Sequence, residues 1–199
     1  MKSVVGVSGC AVYVPSPRVS LEQFCNWNGQ NWAKIQAVVG RSFRIADQNE
    51  SVYTMAANAV FQLIVNYDID PETVGMLALG TESSTDNAAG AVIVRGMVDL
   101  ALKRIGRKPL SRSCEVPEFK HACLGGVYAL KSAVRYLKAD GRNRVAIVVA
   151  GDMAEYERGS SGEPTQGAGA VAMLVDTKAD LFSLDLDQTG TSSSYRLVD

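Results

Sequence analysis

The feature that most constrains this chain is the run Val145–Ala150, VAIVVA, six consecutive apolar residues with no polar alternation. A run this short and this rich in β-branched residues reads as a strand, and a strand apolar on both sides needs helices over both faces of its sheet. Val74–Leu79, ending at Gly80, makes the same demand. Val4–Val14 (VVGVSGCAVYV), bounded by Pro15 and Pro17, is a further buried strand.

Helical patterns lie between these runs. Ser51 caps a helix running to about Asn66, with Val52, Met55, Ala56, Ala59, Val60, Leu63 and Ile64 on its apolar face. Thr85 or Asp86 caps the next, from Ala88 to about Arg104, where Arg95, Asp99 and Lys103 stand four apart. Pro117 keeps Cys114–Ala122 extended. A helix then runs from Cys123 to Ala139, with Val127, Leu130, Val134 and Leu137 on one side and Lys131, Arg135 and Lys138 on another; Gly141 ends it. Residues 21–49 read as helix and loop. Ala168–Val175 and Leu181–Leu186 read as neighbouring strands, an antiparallel pair. The expectation is one α/β layered domain over residues 1–187, followed by a small polar tail, 188–199.

Composition narrows the partners. With 199 residues, 20 Lys plus Arg, 21 Asp plus Glu and a net charge of −1, the chain has no field to gather nucleic acid or an anionic membrane. No apolar run approaches the roughly 20 residues that span a bilayer, and Met1-Lys2-Ser3 leads straight into a strand without the pattern of a signal peptide. Cys10, Cys25, Cys114 and Cys123 are scattered without a C-x-x-C pair, and His121 is the single histidine. The expectation is therefore no metal site, and reduced thiols in the cytoplasm.

Three stretches carry groups suited to chemistry. Phe119–Gly126 (FKHACLGG) places Cys123 where an extended segment becomes a helix. A helix N-terminus favours a thiolate, and its free N–H groups suit an oxyanion, for which Gly125 and Gly126 are candidates. Two glycines in a first turn weaken a helix, which points to close approach by another backbone or a ligand; a small buried cysteine is the other reading. Gly80–Asp86 (GTESSTD) puts Glu82 directly after a buried strand, where open α/β sheets form their sites, as a general acid/base or as a solvated loop acid. Gly151–Tyr156 (GDMAEY) again follows a strand. The glycine-rich stretch 159–170 after it, with Thr165 and Gly167 as candidate pocket residues, is neither a P-loop nor a dinucleotide fingerprint. His121 lies two residues from Cys123, but sequence neighbours seldom form a Cys–His pair.

These blocks together resemble the 3-hydroxy-3-methylglutaryl-CoA synthase family: Glu82 in T-E-S, Cys123 in A-C-x-G-G, Asp152 in A-G-D-x-A, and G-E-P-T-Q-G-A-G-A-V-A-M-L-V at 162–175. The likeness runs from Val4 to about Val175 and continues faintly through Ser194-Tyr195-Arg196 to Asp199. It implies a thiolase-like fold of two pseudo-equivalent halves, each a mixed five-stranded sheet between helix layers, of which this chain is the N-terminal half. It also implies that Cys123 accepts acetyl from acetyl-CoA, that Glu82 is the general acid/base for condensation with acetoacetyl-CoA, and that Asp152 supports them. Coenzyme A thioesters are then substrates, and no cofactor is needed.

Two departures stand out. Leu124 occupies a position where the family usually carries Tyr, and Val127 replaces a small residue or Thr. Family enzymes are about twice this length, with the catalytic histidine and much of the CoA site in the second half. The resemblance therefore implies a second protein chain carrying that half, in an oligomer. The alternatives are a β-branching synthase acting on acyl-carrier-protein-bound β-ketoacyl groups, a ketoacyl-synthase-III-like condensing enzyme, and a non-catalytic structural subunit.

Overall fold

The computed structural model describes residues 4–85 and 90–195. In chain order it comprises β1 (Gly6–Tyr13), β2 (Arg18–Ser20), α1 (Leu21–Asn28), α2 (Trp32–Val38), β3 (Ser42–Arg44), α3 (Val52–Asn66) and β4 (Val74–Thr81). There follow α4 (Gly90–Arg104), β5 (Glu118–Lys120), α5 (Gly125–Lys138), β6 (Val145–Ala154), β7 (Gly167–Asp176) and β8 (Phe182–Ser183).

The main sheet is mixed and runs β5-β4-β6-β7-β1-β8. β5, β4 and β6 are parallel, and β7 pairs antiparallel with both β6 and β1. It has six strands where five were expected, because two residues, Phe182 and Ser183, add a short edge strand beyond β1. This also corrects the expected pairing of the last two strands. β8 joins β1 rather than β7, since β7 is already paired on both edges.

Side-chain alternation sorts the sheet's two faces. Leu77 and Leu79 of β4, Ile147 and Val149 of β6, and Ala170, Ala172 and Leu174 of β7 pack beneath α3 and α4. Met76 and Ala78, then Ala146 and Val148, face α5. All of β4 is buried, as its unbroken apolar run requires. The Ser51 cap is present, with Ser51 and Thr54 bonding reciprocally in a capping box. Arg95 and Asp99 pair at 3.4 Å on α4. The proposed start of that helix at Asp86–Ala88 lies outside the described residues, as does the Arg196–Asp199 end of the tail.

Two readings change. Residues 18–44 contain an antiparallel β2–β3 pair, with α1 and α2 between its strands, built over Leu21, Phe24, Cys25 and Phe43. Its strands of three residues are too short to show a period. On α5 the buried stripe is Gly125, Ala129, Ala133, Val134 and Leu137, whereas Val127 is exposed. Small residues line this stripe because the helix lies close on β4 and β6. A Cβ on Gly80 would stand 2.4 Å from Gly126 N and 2.5 Å from the Gly125 carbonyl carbon.

Gly80→Ala must therefore push two main chains apart, whereas Gly96, exposed in the middle of α4 with nothing near it, has room for a methyl. In denaturant titrations Gly80→Ala is expected to lose about 1–3 kcal/mol of stability, and Gly96→Ala to gain about 0.4–1 kcal/mol. Equal effects from the two would contradict the close contact of strand and helix.

Candidate active site

Strand register brings the singled-out residues to one edge of the sheet. Thr81, the last residue of β4, pairs with Lys120, the last of β5, and Gly80 pairs with Ala150 of β6. Glu82 follows Thr81, Cys123 lies three residues past Lys120, and Asp152 lies two past Ala150. Because the three strands are parallel, all three residues lie toward the carboxyl end of the sheet, where β4 and β5 stop while Asp152 is still paired with Gly169 of β7. β7 is antiparallel, so its first residue, Gly167, opposite Ala154, reaches the same edge.

Cys123 sits in a single 3-10 turn, Ala122–Leu124, that leads into α5. The turn packs against β4, and its exit is fixed by Gly125, where an added Cβ would meet Phe119 O at 2.7 Å and Thr81 N at 3.0 Å. The close approach anticipated from the paired glycines is therefore by the protein's own backbone. Ala122 has φ +26°, a region costly for a residue with a Cβ, directly before the thiol. Cys123 is exposed, so the buried-cysteine reading does not hold. The His121 ring meets Tyr128 edge-on, with centroids 5.2 Å apart.

The Glu82 loop is held by an anionic hub. Asp152 Oδ1 accepts from Thr81 Oγ1 at 2.8 Å, Glu82 N at 2.8 Å, Ser83 N at 3.2 Å and Ser83 Oγ at 3.1 Å. Ser83 Oγ in turn accepts from Met153 N at 2.9 Å, closing the loop onto β6. On the other side, Tyr53 OH of α3 lies 3.1 Å from Ser84 Oγ and accepts from Thr85 N at 3.0 Å. Lys120 Nζ donates to Ser84 O. The Glu82 side chain, by contrast, is exposed. A carboxylate so presented, on a loop pinned from β5, β6 and α3, can exchange a proton with a bound molecule without the loop rearranging.

Sequence reasoning singled out Glu82, Cys123 and Asp152, which the fold brings to one end of the sheet, but not Ser83, Lys120 and Tyr53, which bond at the loop after β4. The hydroxyl-rich run Thr81–Thr85 was the signal for Ser83. Nothing local marks Tyr53, which arrives from α3.

Thr165 and Gly167 belong to the turn that enters β7 and to its first residue. Thr165 Oγ1 donates to Gly162 O within its own turn. Gly167 lines a cavity of about 330 Å³ with Arg44, Met153, Tyr156 and Arg158. In that cavity the buried carboxylate of Glu163 accepts from Gly159 N at 2.7 Å. Cys123, Glu82 and Asp152 do not line it. Among the described residues there is no cluster of three metal-ligating side chains, and no helix is long and apolar enough to cross a membrane.

One face near the site is bare. Ala11 and Ala172 point toward α3, so their neighbours Val12 and Val171, directly opposite each other, point toward the α5 side. Both are open to solvent, 55% and 37% exposed, as are Leu124 at 45% and Val127 at 50%. The expectation of strands covered on both faces therefore fails at the β1–β7 end of this side.

Known proteins share this fold and sequence pattern. The family model described as hydroxymethylglutaryl-coenzyme A synthase N terminal matches residues 1–180. Hydroxymethylglutaryl-CoA synthase A of Dictyostelium discoideum is 34% identical over 181 residues, covering 89% of this chain and 36% of that protein. The hydroxymethylglutaryl-CoA synthase of Haloferax volcanii is 40% identical over 144 residues, 71% of this chain and 31% of its own length. The solved structure of MvaS in complex with 3-hydroxy-3-methylglutaryl coenzyme A matches with a TM-score of 0.85 at 37% identity, over 94% of this chain and 43% of that one. The chain thus spans well under half the length of these relatives.

The four thiols differ in surroundings. Cys10 and Cys123 are exposed; Cys25 and Cys114 are buried. Burial, partly offset by Arg95, pushes the Cys114 thiol up to about 11. At pH 9 in the native protein, iodoacetamide is expected to label Cys10 and Cys123 and to leave Cys114 protonated and unlabelled until the chain unfolds. Peptide mass mapping reads this directly, and prompt labelling of Cys114 with Cys123 protected would contradict the placement.

Proposed function

The chain belongs to the hydroxymethylglutaryl-CoA synthase family, and from that premise we propose that it carries the acyl-accepting cysteine and the general acid/base of a condensing enzyme. One observation carries the reading. An exposed thiol and an exposed carboxylate stand on neighbouring strand-end loops, and the carboxylate's loop is anchored through Asp152. The proposed substrates are acetyl-CoA and acetoacetyl-CoA, with no resident cofactor.

In this reading the Cys123 thiolate attacks the carbonyl carbon of acetyl-CoA. The carbon–sulfur bond to CoA breaks and the CoA thiolate leaves. In this reading the N–H groups of Gly125 and Gly126, at the head of α5, serve the developing oxyanion. Glu82 takes a proton from the methyl of the acetyl thioester. The enolate carbon attacks the ketone of acetoacetyl-CoA, and the proton held by Glu82 passes to the new alkoxide. Water then cleaves the bond to Cys123 and frees the product. Asp152 acts through the loop, holding the Glu82 main chain by its N–H and by both groups of Ser83. The relatives at 30% identity or more named above are called CoA synthases, which favours a CoA-bound acceptor over a carrier-bound one.

The exposed apolar side chains of Val12 and Val171 on the sheet and of Leu124 and Val127 beside the thiol support association with the complementary half of the fold, in the proposed reading a partner chain that also brings a histidine. The proposed setting is the reducing cytoplasm, where the four free thiols persist.

Mass spectrometry of the assembled protein with acetyl-CoA is expected to find an acetyl group on Cys123 and none after Cys123→Ala. Glu82→Ala is expected to keep the acetyl adduct while losing condensation by about 100- to 10,000-fold, the range of a missing acid/base. Condensation that survives Cys123→Ala would contradict the reading. Replacing acetoacetyl-CoA by acetoacetyl-acyl-carrier protein is expected to slow turnover, and faster turnover would assign the acceptor to the carrier.

A further inference from the structure

We infer that Lys120 is a positioning residue that sets the distance between the Cys123 turn and the Glu82 loop, an assignment that rests on the roles proposed above for those two residues. Lys120 is the last residue of β5, in register with Thr81, the last of β4. Its main chain continues through His121 into the turn that carries Cys123. Its side chain turns the other way, and Nζ donates to the carbonyl of Ser84, two residues beyond Glu82. A single residue therefore holds the thiol's segment by its backbone and the acid's loop by its ammonium group.

The other ties described for this loop come from elsewhere. Asp152 reaches it from β6 and Tyr53 from α3, so they fix the loop to the sheet and to the opposite helix layer. The Lys120 bond fixes it to the strand from which the Cys123 turn springs. Relative displacement of two reacting groups costs rate steeply, and a direct tie between the two segments that carry them limits it. Lys120 is itself exposed and contributes to none of the apolar clusters, so its replacement leaves the core intact.

The step that needs both groups is removal of a methyl proton from the acetyl-Cys123 thioester by Glu82. Loading of Cys123 needs only the thiol. Lys120→Met is therefore expected to lower kcat for condensation of acetyl-CoA with acetoacetyl-CoA on the order of 10- to 100-fold. The rate of Cys123 acetylation and the KM for acetyl-CoA should stay within about twofold. Lys120→Arg, which keeps a charged donor, is expected to recover most of kcat. Amide exchange at residues 82–85 should quicken in Lys120→Met and return toward the parent rate in Lys120→Arg.

The measurement uses the complete assembled enzyme, with the unsubstituted protein as its control. Unchanged kcat in Lys120→Met, or acetylation falling in step with kcat, would overturn the inference while leaving the roles of Cys123 and Glu82 standing. An unsubstituted enzyme that neither acetylates Cys123 nor condenses the two thioesters would overturn both.

Discussion

Main chain touching main chain, at Gly80 of β4 and Gly125–Gly126 of α5, is the contact on which the rest of the arrangement depends. No side chain stands between strand and helix there, so the head of α5 settles onto the carboxyl end of the sheet. The turn before it, with Cys123, is held out at the edge. Gly126 continues the contact onto β6, where its missing Cβ leaves room for Ala150. The two glycines weaken the first turn of a helix, and the offsetting gain is burial of the Ala129–Leu137 stripe against β4 and β6. A larger residue at any of the three positions would move the thiol relative to the loop after β4.

The same edge concentrates polar groups that the sheet leaves unpaired. Where β4 ends, its next N–H groups have no neighbouring strand to bond, and Asp152 supplies one oxygen to several of them at once. A charged acceptor strengthens such bonds over neutral ones. The result is a rigid seat for a loop whose outward carboxylate among the described residues, Glu82, is left uncommitted. Stability and the proposed chemistry thus draw on one arrangement, in which Asp152 satisfies backbone donors and aims the residue between them.

Much of this was legible in the chain. Unbroken apolar runs at Val74–Leu79 and Val145–Ala150 required a sheet covered on both sides, and placed Glu82 and Asp152 at strand ends. Paired glycines after Cys123 announced a close approach, though whether a ligand or a backbone made it depends on Gly80, a contact between residues 45 apart that local pattern does not encode. The β2–β3 pair escaped notice because three-residue strands show no alternation. Val127 looked like core from its spacing with Leu130 and Val134, yet the sheet beneath α5 accepts only Gly and Ala at closest approach, which turns the buried stripe and leaves Val127 outside. Lys120 and Tyr53 reach the loop after β4 over 36 and 31 residues to Ser84, and only the folded chain brings them there. The roles proposed for Cys123 and Glu82 came from family resemblance; the geometry adds their common edge and the means of holding it.

The central claim is that this edge holds an acyl-bearing sulfur and a proton-transferring carboxylate within reach of each other. A crystal structure of the assembled enzyme, trapped after soaking with acetyl-CoA alone, tests that most directly. The account predicts an acetyl group bonded to Cys123 Sγ, with the Glu82 carboxylate turned toward its methyl carbon and the Asp152 bonds to residues 81–83 intact. Acetyl on a different residue, or Glu82 directed away across a solvent gap from an acylated Cys123, would contradict it.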